Sequence, residues 1–188
     1  MSHRFRLASV LAAIVSVWPL TSSALTPGYL LFTDPGKRFS VEFPKDWRWM
    51  IVAGSGEALV TFVQPKSEAA VVVERFRLKQ PLAMDEITDV FVQIETDVLK
   101  ENQPRASDIG GKVLTQGRRR AVVVDYSRPG LTEAERVRQY SYPVADSLYR
   151  ITCMALTSQF KKYEATFATV AESLKSAGDL DAPSSPKP

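Results

Sequence analysis

Histidine and cysteine each occur only once in this chain of 188 residues, as His3 and Cys153. Catalytic sites of the Ser-His-Asp and Cys-His kinds need a histidine as general base. Structural zinc sites need several cysteine or histidine ligands, and a disulfide needs two cysteines. These scarcities argue against the commonest nucleophilic hydrolases, zinc proteins and disulfide-stabilised scaffolds. We expect Cys153 to be buried in the core.

The first 24 residues have the pattern of a cleavable signal peptide. Two arginines precede an apolar run, residues 7–20, and small residues stand at positions −3 and −1 before Leu25. A membrane anchor is the alternative, but the run is shorter than the roughly 20 residues of a span and contains Ser16 and Pro19. We therefore expect residues 1–24 to be removed on export to the periplasm or the medium. There is no cysteine at the cleavage site for lipid attachment.

Removal of this leader changes the chemistry of the chain. The leader carries His3, two arginines and no acidic residue, so cleavage lowers the formal net charge from +3 to +1. A nearly neutral chain lacks the electrostatic basis for general nucleic-acid binding. The mature protein is also left without any histidine.

A strand followed by a helix near the C-terminus organises the predicted fold. Residues 148–156 have apolar side chains on both faces, which is typical of an interior strand covered above and below. The next segment has one apolar helical stripe, formed by Phe160, Tyr163, Phe167, Val170 and Leu174.

The remainder of the chain predicts about eight strands in all and one more main helix. That helix is predicted to bury the stripe Ile87, Val90, Phe91, Ile94 and Val98. Residues 103–111, which include Pro104 and the pair Gly110-Gly111, are predicted to form a loop. Hairpin connections indicate an antiparallel sheet, whose two faces the helices could cover. The predicted domain covers residues 28–175, and residues 176–188 are predicted to be a disordered tail.

Two segments resemble the PsbP family, the extrinsic photosystem II subunit and its bacterial relatives. Residues 39–47, Phe-Ser-Val-Glu-Phe-Pro-Lys-Asp-Trp, resemble its opening F-x-hydrophobic-x-[FY]-P-x-x-W, and residues 149–153 and 160–174 resemble its last strand and helix. The resemblance covers roughly residues 32–174 in the order of elements. It implies an α+β fold, an α-β-α sandwich around a central, mostly antiparallel twisted sheet. It also implies a non-enzymatic role in assembling or stabilising a larger complex. The histidine metal positions of the plant subunit have no counterpart, so neither metal nor photosynthetic function is expected.

Two further patterns suggest catalysis or metal binding but have simpler explanations. Ser158 and Lys161 have the S-x-x-K spacing, yet the companion Ser-Asp-Asn and Lys-Thr-Gly motifs are absent. Ser158 is instead predicted to cap a helix. Asp85, Glu86 and Asp89 could offer oxygen ligands, but calcium needs six to eight oxygens from a shaped loop. An acidic first helical turn explains them, so we expect no enzyme, no metal and no other cofactor.

Seven basic residues form the predicted partner-binding site: Arg118, Arg119, Arg120, Arg136, Arg138, Lys161 and Lys162. The two lysines lie in the first turn of a helix, where the dipole disfavours cations by ~0.3–1 kcal/mol. This placement favours an anionic partner, either an acidic protein surface or phospholipid headgroups. A solvated sheet edge protected by charge is the alternative.

Trp47 and Trp49 alternate onto one face, where they could line a hydrophobic groove or form core under a helix. The main hypothesis is an exported, monomeric, non-catalytic accessory protein. It would dock on another envelope protein or complex, and peripheral membrane contact is compatible with it. The alternative is a periplasmic small-molecule carrier with its groove at Trp47 and Trp49. A hydrolase ranks last.

Overall fold

The computed structural model describes residues 25–52, 57–116 and 119–177. The predicted leader, Arg118 and residues 178–188 of the predicted tail lie outside this part. Across the described segments, no helix combines the length and the apolarity needed to cross a membrane.

Two α-helices and ten strands make up the described chain. The helices are α1 (Asp89–Asn102), which follows a short 3-10 turn at Met84–Glu86, and α2 (Thr157–Glu172). The strands are β1 (Tyr29–Thr33), β2 (Phe39–Pro44), β3 (Arg48–Val52), β4 (Glu57–Val63), β5 (Ala70–Arg77), β6 (Ser107–Gln116), β7 (Arg119–Arg128), β8 (Glu135–Val144), β9 (Ser147–Leu156) and β10 (Lys175–Ser176).

Seven strands form one sheet in the order β3-β4-β5-β9-β8-β7-β6, and every neighbouring pair is antiparallel. A small second sheet, β1-β2-β10, joins α2 on one face of the large sheet. Helix α1 packs on the other face, against β6 and β7. The predicted α+β fold with a mostly antiparallel central sheet is therefore confirmed.

Strand β9 occupies the middle of the seven-stranded sheet, as its two-faced pattern predicts. Ile151, Cys153 and Ala155 are buried beneath α2, and Leu148 and Thr152 are buried on the opposite face. Burial raises the pKa of the Cys153 thiol, so this cysteine remains a protonated core residue.

The predicted stripe of α2 is also confirmed. All five of its residues are buried, and the Trp47 ring meets the rings of Tyr163 and Phe167 edge-on, with centroids 6.0 and 6.4 Å away. Aromatic side chains from β1 and β2 complete this core by packing on β4; Phe43, for example, stacks on Phe62 at 4.7 Å. The core on the α2 side therefore joins both sheets.

Three local predictions differ from the structure. Gly110 and Gly111 lie within β6 rather than in a loop. Ser176, assigned to the tail, is buried and pairs with Phe39 of β2. Ser158 does not cap α2: the N-cap position is Leu156, and the Ser158 amide and hydroxyl both donate to the Glu133 carboxylate, at 2.8 and 2.9 Å. A carboxylate from the β7–β8 loop thus supplies the acceptor that a helix N-terminus needs.

Candidate docking surface

The six described residues of the predicted partner-binding site do not form one surface. Arg119 and Arg120 are consecutive in β7, so their side chains leave opposite faces of the sheet. The Arg119 guanidinium donates to the Leu174 carbonyl oxygen just beyond α2. The Arg120 guanidinium donates to the Ile87 carbonyl oxygen, at 3.4 Å, on the α1 face. Both side chains therefore make internal contacts with the two helical layers.

Arg138 is part of a charged network inside the domain. Its guanidinium donates to Asp125 at 2.7 and 3.3 Å and to Glu164 of α2 at 3.1 Å, and it lies 5.7 Å from the centre of the Phe160 ring. Burial acts to lower the pKa of Arg138, but the hydrogen bond and charge of Asp125 outweigh it and raise that pKa. Arg138 thus fastens α2 to the sheet.

The three remaining described residues of the predicted site are Arg136, Lys161 and Lys162. They lie at the N-terminal end of α2, on the α2 face. Lys161 is exposed and donates to Glu164 at 2.9 Å, and the Lys162 ammonium lies 5.2 Å from the centre of the Tyr163 ring. Arg136 alternates with Arg138 along β8, as predicted. Arg136 pairs with Ser127 near the end of β7, whereas Arg119 begins β7, so this group lies at the opposite end of the strands from Arg119. A partner-binding role for these three cations, of which the two lysines are exposed, stays a prediction.

The two tryptophans occupy different environments. Trp47 is core, whereas Trp49 is 50% exposed on β3 and packs edge-on against Phe32, with ring centroids 5.3 Å apart. Nearby is an apolar hollow of about 100 Å³, lined by Phe32, Phe39, Ile51 and Val60 together with three residues of the β1–β2 turn. Small-molecule sites usually enclose roughly 300–1,000 Å³. Among the described residues, this hollow is therefore too small to be the groove that the carrier hypothesis requires, and a groove at the two tryptophans stays a prediction.

The patterns that suggested catalysis or metal binding also have structural explanations. Ser158 is bonded to Glu133 and Lys161 to Glu164, so neither faces the other as a nucleophile and base would. Among residues 25–52, 57–116 and 119–177, no group of three or more histidine, cysteine, aspartate or glutamate side chains is arranged to hold a metal ion.

Helix α1 is the feature that departs most from its sequence pattern. It buries Val92, Glu95, Thr96 and Leu99. Three members of the predicted buried stripe face outward instead: Val90, Ile94 and Val98, exposed by 69%, 51% and 42%. Their spacing of four residues places them along one side of the helix, and we call them the α1 stripe. The prediction was wrong for these three, although Ile87, just before the helix, is fully buried.

The buried charge of Glu95 explains this orientation. Its carboxylate accepts hydrogen bonds from Arg150 of β9 at 2.8 and 3.2 Å, and from Gln139 and Ser141 of β8 at 3.3 and 3.2 Å. A buried carboxylate is tolerated only when it is paired and hydrogen-bonded. The polar partners stand on the sheet face beneath α1, so the helix turns Glu95 inward.

A glycine in β6 permits the close contact on the same side of the helix. A Cβ atom at Gly111 would stand 2.5 Å from Cγ1 of Val92 and 3.2 Å from Cγ2 of Thr96. The missing side chain lets α1 lie directly on β6. The small-residue contact and the Glu95 network together fix which face of α1 is hidden.

The α1 stripe is surrounded by negative charge. Five exposed acidic residues lie on or just before the helix, and we call them the acidic rim: Asp85, Glu86, Asp89, Asp97 and Glu101. The only basic residue between positions 85 and 102 is Lys100, which donates to Asp97 at 3.1 Å. Hydrogen bonds from Gln93 and Lys100 lower the pKa of Asp97, so this carboxylate stays ionised at neutral pH. The surface is apolar along its centre and acidic around it.

Neither protein-family models nor curated proteins match this sequence. Solved structures do match. Cyanobacterial PsbP (CyanoP) from Synechocystis aligns with a TM-score of 0.60 at 12% identity, covering 82% of this chain and 95% of that one. LpqN, a protein involved in cell envelope biogenesis of Mycobacterium tuberculosis, gives 0.56 at 16%, covering 78% and 90%. The Ran-binding protein Mog1p of Saccharomyces cerevisiae gives 0.53 at 10%, covering 79% and 95%. The expected architecture is thereby confirmed: the chain has a PsbP-like fold.

Proposed function

We propose that this chain is an exported, non-catalytic accessory protein that docks on another envelope protein or complex through the α1 stripe. The observation that carries the proposal is a helix that buries Glu95 and Thr96 while exposing Val90, Ile94 and Val98. Export is supported by the signal-peptide pattern of residues 1–24. The roles named for LpqN and Mog1p, in envelope biogenesis and in binding a protein, agree in kind with this proposal.

The geometry of the α1 stripe suits an interface. Residues 90 to 98 cover about 12 Å along the helix at 1.5 Å per residue, which makes a continuous apolar ridge. Contiguous apolar surface rimmed by polar groups marks interaction sites in soluble proteins. An interface of this kind typically has an apolar centre and a polar rim.

The charge of the rim selects the partner. Five exposed carboxylates outnumber the two nearby cations, Lys100 and the Arg120 guanidinium bonded to the Ile87 carbonyl oxygen, and so favour a polypeptide segment with apolar side chains flanked by lysine or arginine. The same charge repels anionic lipid headgroups, which attract basic rather than acidic helices. The docking partner is therefore a basic, apolar protein segment, and its charge is opposite to that of the partner predicted from the sequence.

A synthetic amphipathic peptide tests this surface directly. The probe has leucines at helical spacing flanked by lysines, and its control has glutamates in place of the lysines. By calorimetric titration, the lysine peptide should bind at least tenfold more tightly than the glutamate peptide. The double variant Ile94→Ser, Val98→Ser should weaken the lysine peptide at least tenfold.

A matched control variant is Leu131→Ser, because Leu131 is a fully exposed apolar residue of the β7–β8 loop and not of the α1 stripe. It should bind the lysine peptide like the native chain. Equal affinity of the double variant would contradict the proposal, as would binding to phosphatidylglycerol vesicles that the same double variant abolishes. N-terminal sequencing of the protein recovered outside the cytoplasm should give Leu25, and intact residues 1–24 would contradict export with cleavage.

A further inference from the structure

The two edges of the seven-stranded sheet are built differently. The β6 edge has a bulge between Ser107 and Gly110, and Asp108 within it has a left-handed φ of 53°. Two glycines and the exposed Lys112 follow. Bulges and edge lysines are devices that keep a sheet edge from pairing with another chain. The β6 edge is therefore protected.

The β3 edge has none of these features. All five of its residues pair with β4 in unbroken register, and its one charged residue, Arg48, stands at the first position, before four apolar residues. Trp49, Met50 and Ile51 are each about half exposed, at 50%, 50% and 49%. Among the described residues, no strand pairs with the outer side of β3. A regular, apolar edge of this kind is open to strand addition.

We propose that β3 binds an extended, apolar segment of a partner polypeptide, which adds to the sheet as an eighth strand. An edge strand presents a row of backbone N–H and C=O groups, and only another extended backbone matches that row. Alternate side chains of the added strand would lie beside Trp49 and Ile51 on one face and beside Met50 on the other. This site is separate from the α1 stripe, on the far edge of the sheet.

The hollow beside β3 gives this edge a place for one particular side chain. Its apolar lining includes Ile51 of β3 and Val60 of β4, on the face that also carries Trp49. Cavities of roughly 150 Å³ lined by aliphatic and aromatic groups hold a small apolar group, so about 100 Å³ suits one aliphatic side chain. Asp34 and Arg38, which also line the hollow, are already bonded to each other at 2.7 and 3.0 Å. The hollow therefore favours valine, leucine or isoleucine on the added strand.

The length of β3 argues against a second copy of this chain as the occupant. Five residues cover about 17 Å at 3.4 Å per residue. Two such strands paired edge to edge bury far less than the roughly 800 Å² per partner of a stable protein interface. A short peptide buries no larger an area on this edge, but it can bring an aliphatic side chain to the hollow. An antiparallel second copy centred on Met50 would instead bring Trp49 opposite Ile51, and an indole exceeds about 100 Å³.

A capped peptide that alternates valine with threonine is the probe, because it is extended and apolar on one face. Its control is the same peptide with alternate backbone amides N-methylated, which removes the donors of one edge and keeps the side chains. On addition of the unmodified peptide, the amides of β3 should gain protection in hydrogen exchange by NMR. The N-methylated peptide should bind at least tenfold more weakly.

Two lysine variants locate the site. Ile51→Lys places a charge on β3 at the hollow, and Trp49→Lys places one two residues earlier on the same face. Each variant should bind the peptide at least tenfold more weakly. Thr115→Lys places the same charge on the β6 edge and should leave binding unchanged. Circular dichroism of each variant checks that the sheet is retained.

The proposal is overturned if the valine-threonine peptide leaves the β3 amides unchanged at millimolar concentration, or if N-methylation has no effect. It is also overturned if the native chain dimerises with concentration and Ile51→Lys abolishes the dimer, because the occupant would then be a second copy.

Discussion

The two faces of the seven-stranded sheet are stabilised in different ways. On the α2 face the central strands bury aliphatic and aromatic side chains completely, as at Phe62, Val71 and Ile151. The α1 face also buries apolar side chains, such as Val122 and Val137, but beside them it presents Gln139, Ser141 and Arg150, which pair with a buried carboxylate. Apolar burial is non-directional, whereas a buried ion pair is satisfied in only one geometry. Apolar burial therefore stabilises the domain on both faces, and the polar network on the α1 face in addition sets the orientation of a helix.

The polar network on the α1 face matters for function because it decides which side of α1 is exposed. A buried ion pair adds little net stability, because desolvation offsets the attraction between the charges. It does fix the side of α1 that meets the sheet, and so the side that meets solvent. The α1 stripe is exposed because the polar network holds the helix in this orientation.

Truncation of one aromatic ring in the core on the α2 face should have the largest effect on stability. Phe167 is fully buried between Trp47, Phe160 and Tyr163. Phe167→Ala should lower the free energy of unfolding by about 3–5 kcal/mol, measured in urea. Ile94→Ala on the α1 stripe should change it by less than about 0.5 kcal/mol. Similar losses at both positions would mean that the stripe is packed rather than exposed.

Removal of the Glu95 carboxylate should have the next largest effect. Glu95→Ala leaves the guanidinium of Arg150 without its partner, so we expect a loss of about 3 kcal/mol of unfolding free energy. Adding Arg150→Met to that variant should recover part of the loss, since the guanidinium that lost the Glu95 carboxylate is then removed as well. Strictly additive effects in this double-mutant cycle would show that the pair does not orient the helix.

The close contact of α1 with β6 can be tested with two neighbouring glycines. Gly111→Ala places a methyl group against Val92 and should cost about 1–3 kcal/mol of unfolding free energy. Gly110→Ala meets no atom within 4 Å and should change it by no more than about 1 kcal/mol. Val92→Ala should reduce the cost of Gly111→Ala. Equal effects at the two glycines would place the helix farther from the strand.

The smallest expected effect concerns Glu74, which pairs across β5 and β9 with Arg150 on the α1 face. Burial raises the pKa of Glu74, and the charge of Arg150 offsets only part of that rise. A raised folded-state pKa means that this group favours folding when protonated, and that the contribution is lost as pH rises above about 4.3 through the folded value. Glu74→Gln should therefore stabilise the chain at pH 7 by up to about 1 kcal/mol, with no gain at pH 3. Destabilisation at pH 7 would show that the attraction to Arg150 dominates.

The sequence predicts the α2 side of this fold well and the α1 side poorly. Phe160, Tyr163 and Phe167 form one apolar stripe, and α2 has no second stripe of comparable apolarity. Periodicity alone therefore identifies the buried face of α2. Helix α1 has two candidate stripes, and the more apolar one is exposed. The choice depends on Gly111 in β6 and on Arg150 in β9, which no local pattern links to Glu95. Likewise, Arg119 and Arg120 are neighbours in sequence but not on one surface, because consecutive strand positions point to opposite faces.

The most direct test of this account is a titration of the lysine-flanked amphipathic peptide against the native chain and the Ile94→Ser, Val98→Ser variant, with unfolding measured on the same samples. We predict at least tenfold weaker binding to the variant, with its unfolding free energy changed by no more than about 0.5 kcal/mol per site. Undiminished binding, or a loss of binding that accompanies unfolding, would contradict the claim that α1 is held in this orientation to present a docking surface.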